Sequence, residues 1–247
     1  MKATALEFRL RMAINATIII LGFWAPWIQI FGIGSRISTL EWLALELSRL
    51  GLLSFSVATP VVIVVAALFA AIGGFFRVWG TAYLGPATVQ HQQMLAGAVL
   101  ADGPYRYVRN PLYVGVWFMV AALASIMPPT GAVFAMVLLS IFLLRLILGE
   151  EAFLTAKIGE PYLVYLRAVP RLFPRLRTHI TSTGRKPHWL RAVIAELNPI
   201  GVFIVIAVFS WSYNSWLMLK AITVSFGVSL VARAFTPPIS KVPDSPE

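Results

Sequence analysis

The sequence predicts an all-α fold: a polytopic membrane helix bundle of about six spans, with large polar loops on one face. Three observations carry this. The chain is 59% hydrophobic and 12% charged, about half the charge of a typical soluble domain, with a mean hydropathy of +0.81. Apolar runs of about 18 or more residues recur along it, the length needed to cross hydrocarbon as a helix. Basic residues collect in alternate inter-span segments, as cytoplasmic loops do.

The first apolar run extends from Ile14 to Ile33, with Trp24 and Trp27 toward its far end as interfacial aromatics. Thr39 to Leu53 is too charged to span. Glu41, Glu46 and Arg49 interrupt it while Leu43, Leu47 and Leu50 recur at helical spacing, which predicts a helix lying on the membrane surface. Thr59-Pro60 reads as a cap and first helical position for a second span, Pro60 to Phe76, ending at Arg77. Residues 79–110 read as a long polar loop. Asn110-Pro111 starts a third span, Leu112 to Met127, and Pro128-Pro129-Thr130-Gly131 breaks it. Ala132 to Leu148 returns as the fourth span of an antiparallel hairpin. Residues 150–191 are polar and basic. Asn198-Pro199 opens an apolar run to about Tyr213, Tyr213-Asn214-Ser215 is a turn, and Trp216 to Phe235 is the last span. The tail, with Pro237, Pro238, Pro243 and Pro246, reads as frayed.

Charge orients this chain. Lys2, Arg9 and Arg11 lie before the first span; Arg77, Arg106 and Arg109 lie between the second and third. Lys157, Arg167, Arg171, Arg175, Arg177, Arg185, Lys186 and Arg191 lie between the fourth and fifth. The opposite side has one balanced segment and two uncharged turns, so both termini are expected in the cytoplasm. The net charge of +10 then belongs to loops facing anionic headgroups, and nucleic acid is not an expected partner. With no cysteine, and with His91, His179 and His188 scattered, neither a disulfide nor a metal site is expected. Arg145, Glu196 and Lys220, within or near spans, read as snorkelling or locally paired charges. A pump or channel would carry more intramembrane charge. The N-terminus shows no cleavable signal pattern and is expected to remain in place.

The two inward loops hold the unusual residues. The hairpin returns Asn110-Pro111 and Gly149-Glu150-Glu151 to one membrane face. Asp102-Gly103-Pro104 makes a tight turn. Asn110-Pro111 offers free N–H groups and a positive helix end to a carboxylate, and the Arg109 guanidinium can grip the same group with two hydrogen bonds. Tyr105, Tyr107 and Tyr113 can stack on an aromatic base or face a cation. Glu150 and Glu151 can accept from ribose hydroxyls or set negative charge near a sulfonium. Singly, each has a structural use as helix start, anchor, belt residue or loop charge. Together and in this order they are the parts that would hold S-adenosylmethionine.

In that order the residues resemble the isoprenylcysteine carboxyl methyltransferase family and the related phospholipid methyltransferases. The matching residues are Gly103-Pro104-Tyr105, Arg109-Asn110-Pro111, Tyr113 and Gly115, then, after the hairpin, Glu150-Glu151, Leu154, Gly159, Tyr162, Tyr165 and Val169-Pro170. Arg77-Val78-Trp79-Gly80 and Leu84-Gly85 look like the segment that often precedes this core. The resemblance covers about residues 75 to 175. It implies a methyltransferase-like core over 59–175, preceded by an N-terminal span and interfacial helix over 1–58. A basic loop, two spans and a tail follow over 176–247. It implies an S-adenosylmethionine site formed by Gly103, Pro104, Tyr105, Tyr107, Val108, Arg109, Asn110, Tyr113, Glu150 and Glu151, with Arg109, Glu150 and Glu151 as the catalytic set. The implied activity is methyl transfer to a lipophilic or small-molecule carboxylate, amine or thiol; the compact length and absence of targeting signals lead to the expectation of a prokaryotic inner membrane.

Two positions depart from the pattern. Asn110 stands where the family has His, and Gly97 where prenylcysteine enzymes often have another. Asn110 cannot be protonated, though it can still make a polar contact and cap a helix. Membrane sterol reductases look similar in the hairpin region, which would imply NADPH instead. A family member that binds without turnover is the third reading.

Overall fold

In hydrocarbon every backbone N–H and C=O has to be bonded within the chain, and helices are what uninterrupted apolar sequence can form there. The computed structural model describes residues 2–85, 99–175, 177, 180–197, 200–202, 204–205 and 215–235, and among them there is helix but no strand. A five-residue helix α1 (Ala5–Arg9) opens on a Thr4–Glu7 capping box. The first span is α2 (Arg11–Trp24) joined to α3 (Pro26–Phe31) through Ala25, which is fully buried in a left-handed conformation. Helix α4 (Thr39–Arg49) opens on a second capping box, Ser38 with Glu41. Then come α5 (Phe55–Leu84), a 3₁₀ turn (Gly103–Arg106), α6 (Pro111–Ala124), α7 (Pro129–Ile158), α8 (Glu160–Ala168), α9 (Trp189–Ala195) and α10 (Ser215–Phe235).

Among the described residues three helical stretches are long and apolar enough to cross a membrane: Arg11–Phe31, Phe55–Leu84 and Pro129–Ile158. Pro111–Ala124 and Lys220–Ala232 are shorter apolar helices. The expected fifth span falls largely outside the described residues, because Asn198, Pro199 and residues 206–214 are not among them. His91, Gly97, His179 and the proline-rich tail also lie outside them.

Three expected boundaries are corrected. The second span starts at Phe55 rather than Pro60, with Ser54 in the extended cap conformation. As the sixth residue of α5, Pro60 removes a single helical donor, the one due to the Ser56 carbonyl. The same helix continues past Arg77 to Leu84, through the first part of the expected polar loop. Its end is packed: Trp79 contacts Phe75, Phe76 and Tyr107, and Gly80 sits against Leu112. Helix α7 likewise runs on through Glu150 and Glu151 to Ile158, where Gly159 takes a positive φ. The residues after Gly149 are strong helix formers, and polarity ends a membrane span without ending a helix. Thirty residues rise about 45 Å, against about 30 Å of hydrocarbon. The last turns of α7 therefore stand at the headgroup level, with the two glutamates still on a rigid helix.

Between helices in lipid there is little hydrophobic drive, so close backbone approach at small residues holds them together. Helices α5 and α6 cross at Gly73 and Gly115; a Cβ on either would stand 2.9 Å from the other's carbonyl oxygen. Helices α2 and α7 cross at Gly22 and Gly131, where a Cβ on Gly131 would stand 1.9 Å from the Gly22 carbonyl oxygen. Phe8, Ile18, Val120, Met127, Leu139, Phe142 and Leu146 form one buried apolar cluster that runs along α7 from this crossing toward its other end. The surface helix α4 is pinned to the turn between α6 and α7 by Thr39 N–H to the Met127 carbonyl and Leu40 N–H to the Ser125 carbonyl, both 2.7 Å. At the opposite face Arg145 is paired, as expected, with Glu7 at 2.8 Å. Its hydrogen bonds hold the Glu7 carboxyl at about 2, far below the usual carboxylate range.

Gly131→Leu should lower the thermal midpoint of the detergent-solubilised protein by the equivalent of about 1–3 kcal/mol or more, as overpacking does. Gly74→Ala, where a Cβ would meet nothing within 4 Å, is the neutral control. Equal midpoints in the two variants would remove this crossing from the account.

Candidate active site

The site is built where the ends of α5 and α7 meet the start of α6. The turn that enters it is fixed by Gly103, whose φ is +54° and whose absent Cβ would stand 2.4 Å from the Tyr83 ring. Pro104 and Val108 are fully buried, and Val108 N–H closes the turn on the Pro104 carbonyl. These two residues serve as packing for the turn. Asp102, also fully buried, accepts hydrogen bonds from the Ser182 hydroxyl and from the Thr183 hydroxyl and N–H. Burial alone would raise its carboxyl; those hydrogen bonds outweigh it and hold the group below its usual range.

Tyr105 is buried, and its carbonyl accepts the Tyr165 hydroxyl at 2.8 Å. Its own hydroxyl is buried without a partner, and burial pushes the phenol well above its usual range. Tyr107 lays its ring 6.1 Å from Trp79 and accepts Arg175 N–H on its carbonyl.

Helix α8 folds under this turn through Tyr162 and Tyr165, which pack with Val169 and Ala101. Burial raises both phenols. Pro170 has no N–H to continue α8, and the chain turns back beside residues 109 and 110. Arg109 N–H donates to the Pro170 carbonyl at 2.9 Å, and Asn110 Nδ2 donates to the Arg171 carbonyl at 3.1 Å. Asn110 does occupy the cap position of α6, but its side chain makes no capping bond. The expected cap is therefore corrected: the amide is spent on Arg171, and the first-turn N–H groups of α6 receive no cap from it.

The two adjacent glutamates have different partners. Glu151, 7% exposed, is held by Arg109 Nη1 at 3.1 Å and by Arg171 Nε and Nη2, the latter at 2.8 Å. The same hydrogen bonds raise the Arg171 guanidinium. Glu150 accepts the Tyr113 hydroxyl at 3.1 Å. Among the described residues Arg109 Nε is buried with no partner. The structure thus brings Arg109, Asn110, Glu151 and Arg171 together, with Tyr113 and Glu150 as a second pair on the same helices. Gly103, Pro104 and Val108 support the turn from behind.

Sequence reasoning counted Arg171 only as a loop cation. Its position directly after Val169-Pro170 was the available signal. It also left Glu196 without a partner. Glu196, 1% exposed, takes Arg77 in a two-bond contact at 2.8 Å and the Thr81 hydroxyl at 2.6 Å. This ties α5 to the segment leading into the C-terminal helices. Among the described residues no group of His, Cys, Asp and Glu could hold a metal ion.

Residues 61–160 match the phospholipid methyltransferase family. A methanethiol S-methyltransferase of Crocosphaera subtropica (strain ATCC 51142 / BH68) is 49% identical over 70 residues, 28% of this chain. That match spans 27% of the relative's length. No solved structure matches the chain.

Asp102→Ala should free the segment around Ser182 and Thr183 and speed tryptic cleavage after Arg185 about tenfold at neutral pH, the equivalent of roughly one net hydrogen bond. Because the folded carboxyl lies below its usual 3.8, its stabilisation is full above that value and is lost as pH falls through the lowered one. An unchanged cleavage rate would show that Asp102 anchors nothing.

Proposed function

We propose that this chain, whose residues 61–160 match the phospholipid methyltransferase family, moves a methyl group from S-adenosylmethionine to a small thiol. The observation that carries the reading is the Arg109 guanidinium: buried, fixed by Glu151 on one side, with a donor left over at Nε. A spare, desolvated guanidinium donor suits a ligand carboxylate. The uncapped start of α6 adds N–H donors of the same sign. These residues fit the amino-acid end of S-adenosylmethionine, which supplies, when bound, an electrophilic methyl group on a sulfonium. The thiol acceptor is supported by the methanethiol S-methyltransferase relative. The phospholipid methyltransferase match supports a lipophilic acceptor as the second reading.

The two glutamates then divide the work. Glu151 balances two guanidinium charges and keeps Arg109 in one orientation. Glu150 faces Tyr113, with the charge of Arg11 acting on it from nearby. A neutral thiol has to lose its proton to become a good nucleophile, and Glu150 is the carboxylate free to take it. The rest of the task is alignment and exclusion of water, which the rigid ends of α6 and α7 provide.

Glu150→Gln should lower thiol turnover by about 10²-fold or more, the usual weight of a general base. S-adenosylhomocysteine affinity should change little, and activity should recover as pH approaches the thiol's own pKa. Glu151→Gln should instead weaken that affinity about tenfold or more, since it frees Arg109 and leaves that buried cation unbalanced. Identical profiles for the two variants would end the division of roles.

A further inference from the structure

The described residues 171–175, 177 and 180–191 form a strap with two faces. One is bonded to the site: Arg171 on Glu151, Arg175 N–H on the Tyr107 carbonyl, Arg106 on the Ile180 carbonyl at 2.8 Å, Ser182 and Thr183 on Asp102. His188 N–H donates to the Ala82 carbonyl at the end of α5, at 2.9 Å. The other face looks outward. Arg175, Arg177, Arg185, Lys186 and Arg191 are exposed. So are three apolar side chains: Phe173 at 84%, Leu190 at 75% and Trp189 at 48%. No acidic residue occurs between Glu160 and Glu196. Trp189 sits edge-on to Tyr83 in the last turn of α5, with ring centroids 6.5 Å apart. The apolar end of the strap therefore lies at the level where that helix leaves the hydrocarbon.

Cations interleaved with exposed aromatic and aliphatic side chains at this depth are the makeup of a surface that enters a headgroup layer. A soluble acidic partner would engage the cations and leave Phe173 and Leu190 in water. We propose that the outward face of the strap docks on anionic lipid headgroups of the membrane the chain spans, and that docking holds the inward face closed on the site turn. Lipid charge thereby sets how firmly Arg171 is kept on Glu151. The docking stands on the surface itself; its consequence for catalysis rests on the methyltransferase reading.

The chain has no cysteine, so Thr181→Cys, on the exposed part of the strap, gives a unique labelling position. The full-length labelled protein is placed in nanodiscs of phosphatidylcholine alone or with 30% phosphatidylglycerol (about one lipid in three, enough to set a negative surface potential). In the anionic discs the fluorophore should shift to the blue and become at least about threefold less accessible to acrylamide. Salt at about 0.5 M should reverse this, since charges beyond a few ångströms are then screened. So should the triple variant R177Q/R185Q/K186Q. Amide exchange at Arg109 and Arg175, whose N–H groups bond the Pro170 and Tyr107 carbonyls, should slow at least about threefold in anionic discs. Accessibility independent of lipid charge overturns the docking. A label that responds while both amides exchange alike in the two lipids overturns the closure. Failure to bind S-adenosylhomocysteine with both responses intact would count against the proposed function and leave the docking supported.

Discussion

Glu151 is held by two arginines brought from different parts of the chain, by an ion pair with Arg109 and by hydrogen bonds from Arg171, and one end of the bundle is organised around that contact. Arg109 comes from the turn before α6 and Arg171 from the turn after α8, while Glu151 itself stands on α7. The carboxylate and the Arg109 side chain are about nine-tenths buried. Removing one member of a buried, charged set leaves the others uncompensated, at about 3–5 kcal/mol. The bonds from Arg109 N–H to the Pro170 carbonyl and from Asn110 Nδ2 to the Arg171 carbonyl follow the same line of contact. Three segments are therefore held in one geometry at the point where two glutamates leave the hydrocarbon.

The bundle supplies the rigidity this contact needs. Close crossings at Gly73–Gly115 and Gly22–Gly131 set the spacing of α5, α6, α2 and α7. Because α5 and α7 outrun the hydrocarbon, Glu150 and Glu151 stand on a helix end, and the turns that carry Arg109 and Arg171 are bonded to it. A second buried pair, Arg77 with Glu196, joins the end of α5 to the start of the C-terminal unit. Both contacts set an arginine near the membrane surface against a buried glutamate of the same chain, which is how charge is tolerated at that depth.

Much of this was legible in the residues. Apolar run length located the long helices, and the hairpin about Pro128-Pro129 followed from breaker chemistry. The interfacial helix at Thr39 was readable from its leucine spacing and charges. Helix ends were misread where polarity was taken for a boundary. Trp79, Glu150 and Glu151 are polar or amphipathic residues on helices that continue, because helix formation outside the hydrocarbon depends on propensity and packing. Asn110 was read as a cap because it is the right residue in the right place. Its Oδ1 makes no capping bond, and its Nδ2 donates to the Arg171 carbonyl, a tertiary contact that no local pattern announces. Arg171 and Glu196 were legible as charges but not as partners, since pairing across such separations is a property of the fold.

The central claim is that the Arg109–Glu151–Arg171 contact presents a guanidinium donor to the carboxylate of S-adenosylmethionine. Calorimetric titration of the purified protein with S-adenosylhomocysteine, with NADPH as the control ligand, tests it most directly. The account predicts saturable binding of S-adenosylhomocysteine and none of NADPH, with affinity falling at least about tenfold, or 1.4 kcal/mol, in Arg109→Ala and in Arg171→Ala. Binding of NADPH instead, or S-adenosylhomocysteine affinity unchanged in both variants, would contradict it.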